Sequence, residues 1–328
     1  KVKEKSTDDL ERAAEFARDN FQNRQAIEFY EKLEDLLKEK GDQKHLVSVL
    51  LKKGPVLELI GEWDASEKAY RSAFDLIEEL KDEILQGRVN NDIGRILLLK
   101  GQYDEAKTYL ERANNIFNEI DDPVGKFRVL GDLGNFYFRQ GNYEEAQIRF
   151  NDSIEKSKSI PYNSSFSKIV SSLGLTHMNL GNFRQGIDCQ LDALKICEQE
   201  EDRQGTATLH TNLGIVYYEK GDLEDALMHY KQGLEISTDL GNKQLTAIAT
   251  GCIGTVYQHQ GKFELALINY IEDLKLCREL GDKQGTAIAY GLIGELKAVE
   301  GDFDAAIPYL QEQMSLSKEL GYLKGVAK

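Results

Sequence analysis

Gly141-Asn142-Tyr143-Glu144-Glu145-Ala146 returns, in altered form, every 40 residues of this chain. Its glycine belongs to the series Gly61, Gly101, Gly141, Gly181, Gly221, Gly261 and Gly301, which runs without slippage. Two residues later stands a large apolar side chain, Trp63, Tyr103, Tyr143, Phe183, Leu223, Phe263 or Phe303. Five residues after the glycine stands a small one, Ser66, Ala106, Ala146, Gly186, Ala226, Ala266 or Ala306. The glycine reads as the left-handed residue that ends one helix. Acidic residues such as Glu144 and Glu145 then open the next, favoured by the helix dipole.

Working outward, a second series keeps step with the first: Gly54, Gly94, Gly134, Gly174, Gly214, Gly254 and Gly294. These fall inside a helix, where glycine costs about 1 kcal/mol relative to alanine. Their recurrence points to a close crossing of two helices, with Ala146 expected to face Gly134. Between Gly205 and Gly221 the apolar residues Leu209, Leu213, Val216 and Tyr217 have helical spacing. From Gly221 to Gly241 the same holds for Leu223, Ala226, Leu227, Tyr230, Leu234 and Ile236. Leu240-Gly241-Asn242, Leu280-Gly281-Asp282 and Leu320-Gly321-Tyr322 then close the units. A weaker copy opens the chain, with Phe21 in the glycine's place and Lys40-Gly41-Asp42 at its end.

The expectation is therefore an all-α, right-handed α-solenoid (superhelix) of about eight helix-turn-helix hairpins, with no internal domain boundary. The units are 7–41, 42–81, 82–121, 122–161, 162–201, 202–241, 242–281 and 282–321, the fifth the least regular, with Pro161 in the link before it. Residues 322–328 would begin a further unit, since Gly325 follows Gly285 by 40. With no initial Met, the chain reads as part of a longer protein.

Composition narrows the function. Hydrophobic residues make up 41% and charged residues 30% of the 328, too apolar for a disordered chain. No apolar run approaches the roughly 18 residues of a membrane span, and no signal peptide is visible. A net charge of −15 argues against nucleic acid as the main partner. Cys189, Cys197, Cys252 and Cys277 form no CxxC pair and read as reduced thiols in a cytoplasmic protein. There is no GxxxxGK[ST], HExxH or GxSxG, so no catalytic residue, metal ligand or cofactor is expected. His177 reads as a packed substitute for the tyrosine of other repeats.

The set Leu213-Gly214, Tyr217, Gly221, Ala226 and Tyr230 resembles the tetratricopeptide repeat (TPR). The 40-residue period with its Leu-Gly-Asn or Leu-Gly-Asp link resembles the long-helix type of spindle-orientation adaptors, kinesin light chains and bacterial regulators. That resemblance covers nearly the whole chain. It implies that the first helix of each hairpin lines a concave groove holding a partner peptide or helix.

On those first helices Arg88, Asn91 and Arg95 fall off the packed stripe of Val89, Ile93 and Leu97. Arg128, Asn135 and Arg139 follow in the next unit, then Lys168 and Asn179, then Tyr218. In so acidic a chain this row of cations predicts that an acidic segment docks at repeats 3 to 5, because guanidinium and amide groups suit carboxylates and peptide backbone. The plain alternative is that these are solvated surface charges. Two further readings stand beside the interaction scaffold. One is a peptide- or ligand-sensing domain that controls an output domain outside this chain. The other is self-association through exposed repeat ends.

Overall fold

A computed structural model describes residues 6–20, 22–159 and 164–319. The readings placed on Phe21, Pro161, Leu320-Gly321-Tyr322, Gly325 and residues 322–328 lie outside these. Among the described residues there are sixteen α-helices and no strand, the eight antiparallel hairpins that the glycine spacing predicts. The chain divides into two compact units, Lys1–Pro161 and Tyr162–Lys328.

The first unit holds α1 (Thr7–Asp19) and α2 (Asn23–Lys40), then α3 (Gln43–Leu59) and α4 (Trp63–Leu80). These are followed by α5 (Glu83–Leu99) and α6 (Tyr103–Glu119), then α7 (Pro123–Arg139) and α8 (Tyr143–Lys156), with a 3₁₀ turn at Ser157–Ser159. The second holds α9 (Ser164–Asn179) and α10 (Phe183–Gln199), and α11 (Arg203–Lys220) and α12 (Leu223–Asp239). It ends with α13 (Lys243–His259) and α14 (Phe263–Leu280), then α15 (Lys283–Val299) and α16 (Phe303–Glu319).

The helix boundaries follow from the links. Gly141 adopts φ 74° between α7 and α8, and Gly241 φ 65° between α12 and α13, left-handed conformations that L side chains resist. In the links between hairpins the residue after that position caps the next helix. The Asp82, Asp202 and Asn242 side chains accept from the amides of Leu85, Gly205 and Leu245 at 3.1, 2.8 and 3.2 Å. Each such cap stabilises its helix by about 1 kcal/mol.

Inside a hairpin, six of the helix-interior glycines admit an aromatic ring or leucine in place of the small residue expected, while a Cβ on Gly174 would meet Gln190 at 2.8 Å and the Gly186 backbone at 3.0 Å. A Cβ on Gly134 would lie 2.6 Å from the Phe150 ring, and one on Gly214 would lie 2.5 Å from the Tyr230 ring. Gly94 and Gly254 receive Leu110 and Tyr270 in the same way. Tyr70, Leu110, Phe150 and Tyr270, 40 residues or a multiple of 40 apart, are fully buried as a result. Burying each such side chain contributes about 1.5–3 kcal/mol, more than the glycine costs.

Candidate functional site

The first helices of successive hairpins present a row of residues four, three and four apart that the helix-helix contacts leave open. In α5 the row is Arg88, Asp92, Arg95 and Leu99, and in α7 it is Arg128, Asp132, Asn135 and Arg139. Arg88, Arg128 and Arg139 are exposed, and none has an ion-pair partner among the described residues. Asn135 is half-buried.

Two predicted residues sit differently. Asn91 is 5% exposed and turned into the α5–α7 contact, where its Nδ2 donates to Asp132 Oδ2 at 2.8 Å. At 100° per residue the open face runs through residue 92, so Asn91 belongs to the packed side. Arg95 is not available as a free cation. Its Nη2 donates to Glu58 Oε1 at 3.1 Å, to the Tyr70 hydroxyl at 3.1 Å and to Asp92 Oδ1 at 3.4 Å, while Nη1 meets Glu58 Oε2. Tyr70 and Ser66 hydroxyls also donate to Glu58 Oε1, at 2.7 and 3.2 Å. This fork-to-fork pair is mostly withdrawn from water, Glu58 at 11% and Arg95 at 26% side-chain exposure.

The carboxylates of this cluster went unnoticed in the sequence. Burial pushes the Asp132 carboxyl up to about 6, against the pull of Arg95 and the Asn91 amide. Burial likewise raises Asp92 despite Arg95 beside it. Asp92 and Asp132 each stand four residues after an unpaired arginine, which a search for acids at that spacing would have found.

Arg88 and Arg128 converge. They line one cavity of about 280 Å³ with Ile84, Asp122, Val124 and Gly125. Gly87 and Gly125 both give way to the Phe117 ring of α6, which sets the wall behind it. Asp122 is occupied as a helix cap, accepting from the Val124 amide at 3.0 Å. Ile84 and Val124 are unusually open for apolar residues, 51% and 40% exposed. The site thus offers two unpaired guanidiniums flanked by apolar surface. That suits a carboxylate next to an apolar side chain.

In the second unit Lys168 is exposed on α9, at the repeat position of Arg88 and Arg128. Asn179 folds back on its own helix, its Nδ2 donating to Leu175 O at 2.8 Å. Tyr218 packs edge-on against His259, ring centroids 5.2 Å apart. Ile248 and Ile288 then take the Arg88 position, 45% and 53% exposed. Within the second unit this repeat position is therefore cationic at Lys168 and apolar at Ile248 and Ile288. His177 is buried as expected. All four cysteines are free thiols.

Among the described residues no group of three or more His, Cys, Asp or Glu side chains has metal-binding geometry. No described helix is long and apolar enough to cross a membrane.

The family model for the tetratricopeptide repeat matches residues 45–119, 85–159, 167–239 and 245–319. No curated protein matches the sequence. Among solved structures, a STAND signal-transduction ATPase with a tetratricopeptide repeat sensor from Pyrococcus horikoshii aligns with a TM-score of 0.65 at 15% identity. The alignment covers 97% of this chain and 48% of that one. A Rap protein complexed with competence and sporulation factor gives 0.65 at 15% identity, covering 84% and 77%. NprR in complex with its cognate peptide NprX gives 0.60 at 18% identity, covering 83% and 79%. At these identities the likeness is one of fold.

Proposed function

This chain belongs to the tetratricopeptide repeat family, and from that premise we propose that it is a scaffold whose first-helix face holds a partner segment carrying acidic and apolar residues. The observation that carries this reading is the cavity where Arg88 and Arg128 meet unpaired between Ile84 and Val124. Arg139 extends the cationic surface along α7. Lys168, Asn179 and Tyr218 are the corresponding partner-contacting residues of the second unit. The segment is a protein or peptide rather than nucleic acid, whose phosphates call for a broader positive surface than a chain of net charge −15 offers.

The reading is refined by what Arg95 does. Its pairing with Glu58 holds α3 and α5 together, so it shapes the groove instead of meeting the ligand. Two or three carboxylates, not a long acidic run, are what the remaining cations would take. The four free thiols fit the cytoplasm.

A second reading, a peptide sensor that controls an output domain, has its own support. NprR is solved with its cognate peptide, the Rap protein is complexed with competence and sporulation factor, and the ATPase carries its repeats as a sensor. Small rotations between repeats add along such a stack and would transmit occupancy. The scaffold reading is preferred because it rests on this chain's own residues.

The test is fluorescence anisotropy with short apolar peptides in which two positions are either Glu or Gln. Wild type should prefer the Glu peptides by at least about tenfold, roughly 1.4 kcal/mol, with an affinity that falls as salt rises. Arg88→Glu with Arg128→Glu should remove the preference while leaving helicity unchanged. Equal binding of Glu and Gln peptides to wild type would rule the acidic partner out.

A further inference from the structure

A second cavity, of about 390 Å³, lies between α4, α5 and α6 and shares no lining residue with the Arg88–Arg128 site. Phe74, Ile77 and Ile116 give it an apolar surface. Gln86, Asn90, Arg112 and Asn115 give it polar groups.

Asn90 is the anomaly. Leu50, Leu130, Val170 and Tyr290 hold its place in four other repeats, and Asn90 is as buried as they are, at 5% exposure. Two further repeats also put a polar side chain there, and each is satisfied. Thr250 Oγ1 donates to Thr246 O at 2.7 Å, and His210 Nδ1 lies 3.1 Å from His229 Nδ1. Asn90 is only half satisfied. Its Nδ2 donates to Gln86 O at 2.7 Å, which fixes the orientation of the amide. Its Oδ1 is left as a buried acceptor without a partner. A buried acceptor in that state carries its full desolvation penalty. Local rules are broken in this way mostly where a site needs them broken.

Arg112 supplies the second half of the argument. It has no carboxylate within ion-pair distance among the described residues, and its guanidinium lies over the Tyr109 ring at 5.6 Å. A cavity near the small end of the usual range for ligand sites, with an apolar wall and a few convergent polar groups, is what a small molecule needs. The groups present specify its chemistry. Arg112 asks for a carboxylate, and Phe74, Ile77 and Ile116 for an apolar body.

We propose that this cavity, which Asn90 leaves open where leucine stands in the adjoining repeats, binds a small apolar carboxylate such as leucine or phenylalanine. The same chemistry occurs at the carboxyl end of a peptide. The site is independent of the groove, so groove variants serve as its control.

The experiment is isothermal titration of the full chain with leucine, phenylalanine, their carboxamides and glycyl-leucine, up to millimolar concentration. The acids should bind, and the carboxamides should bind at least about tenfold more weakly. Arg112→Gln should weaken the acids by a similar factor, and Arg88→Gln with Arg128→Gln should not change them. Asn90→Leu, which restores the residue of two neighbouring repeats, should abolish binding while raising the melting temperature. Tighter binding of glycyl-leucine than of leucine would assign the site to a peptide end, and weaker binding to the free amino acid. Absence of heat with both acids and the dipeptide, equal binding of acid and carboxamide, or unchanged affinity in Arg112→Gln would each overturn the proposal.

Discussion

Replacing Asp273 by asparagine should stabilise this protein at neutral pH, and the size and pH dependence of the gain follow from the structure. Asp273 sits on α14, 7% exposed, with its Oδ2 against Gly251, where an added Cβ would lie 2.8 Å from it. Its one hydrogen-bond donor among the described residues is the Cys277 thiol, at 3.3 Å. Burial lifts the carboxyl from its ordinary 3.8 to about 6, in spite of that thiol and with help from Asp282. At about 1.4 kcal/mol for each tenfold change in the ionisation constant, holding the charged form in the fold costs about 3 kcal/mol at pH 7. The folded state binds this proton more tightly than the unfolded chain. Its contribution is therefore fully present below pH 3.8, is lost as pH rises toward about 6, and stays lost above that. The asparagine side chain cannot titrate. Its amide N–H groups introduce a buried-donor cost of about 1–2 kcal/mol, but that cost does not depend on pH.

The assay is urea unfolding of wild type and Asp273→Asn from pH 4 to 8, with hydrogen exchange of the α13 and α14 amides as the local readout. Repeat arrays open hairpin by hairpin, so the local readout isolates this site. The stability difference, variant minus wild type, should climb by about 2 kcal/mol between about pH 4 and pH 6.5 and then level off, the rest of the ~3 kcal/mol lying below pH 4. A difference that stays flat across that range would refute the claim that Asp273 is buried in its charged form at pH 7.

Two other predictions concern positions where the sequence departs from its own repeat. His210 and His229 face each other through their Nδ1 atoms and Tyr217 stacks on His229, so burial and mutual repulsion push His210 down to about 4 and burial lowers His229. The unfolded chain then binds more protons below its ordinary 6.5, stability is lost as pH falls from 6.5 toward 4, and His229→Gln should flatten that limb in a chemical-denaturation series. Glu201 adopts φ 56° where Gly41, Gly241 and Gly281 stand in other repeats. The left-handed conformation costs an L residue about 1–2 kcal/mol, and glycine's greater unfolded-state entropy returns about half of that. Glu201→Gly should thus stabilise by roughly 0.5–1 kcal/mol, read as a higher urea midpoint at unchanged slope.

The hairpins were legible because a 40-residue glycine period leaves little freedom. Gly141 at φ 74° and the Asp82 cap are local events, encoded within four residues. The site was legible only in part. The exposure of Arg88 and Arg128 was legible because each lies on the open face of a single helix, where periodicity decides. Asn91 was misplaced because residues three and four apart share a face, and the contact with α7 chose the fourth. Arg95 was read as free because Glu58, its partner, is 37 residues away on another helix. Other ion pairs do recur in step and could have been read. Arg203–Asp239, Lys243–Glu279 and Lys283–Glu319 each span 36 residues between the start and the end of one hairpin. They are largely exposed and worth little.

One long-range rule was present in the sequence in a form that single-helix periodicity cannot reveal. Residues 22 apart, one on each helix of a hairpin, trade size: Leu51 with Ala73, Asn91 with Ala113, Gly131 with Ser153, Ser171 with Ala193, Thr211 with Gly233, Gly251 with Asp273 and Gly291 with Gln313. The contacts explain the trade. A Cβ on Gly233 would meet Thr211 Oγ1 at 2.8 Å, and one on Gly291 would meet the Gln313 amide at 2.5 Å. The gap between the two helices admits one side chain at this level, and either helix can supply it. Asp273 is then intelligible: Gly251 vacated the level, and the residue that filled it brought a charge into the core. The same reasoning marks Asn90 as different in kind. It stands beside a cavity that no neighbour has grown to fill, although leucine occupies its place in two of the adjoining repeats. At residues 22 apart one helix supplies the side chain that the other lacks, whereas beside Asn90 the space stays open and the amide oxygen has no partner, an arrangement that packing does not account for.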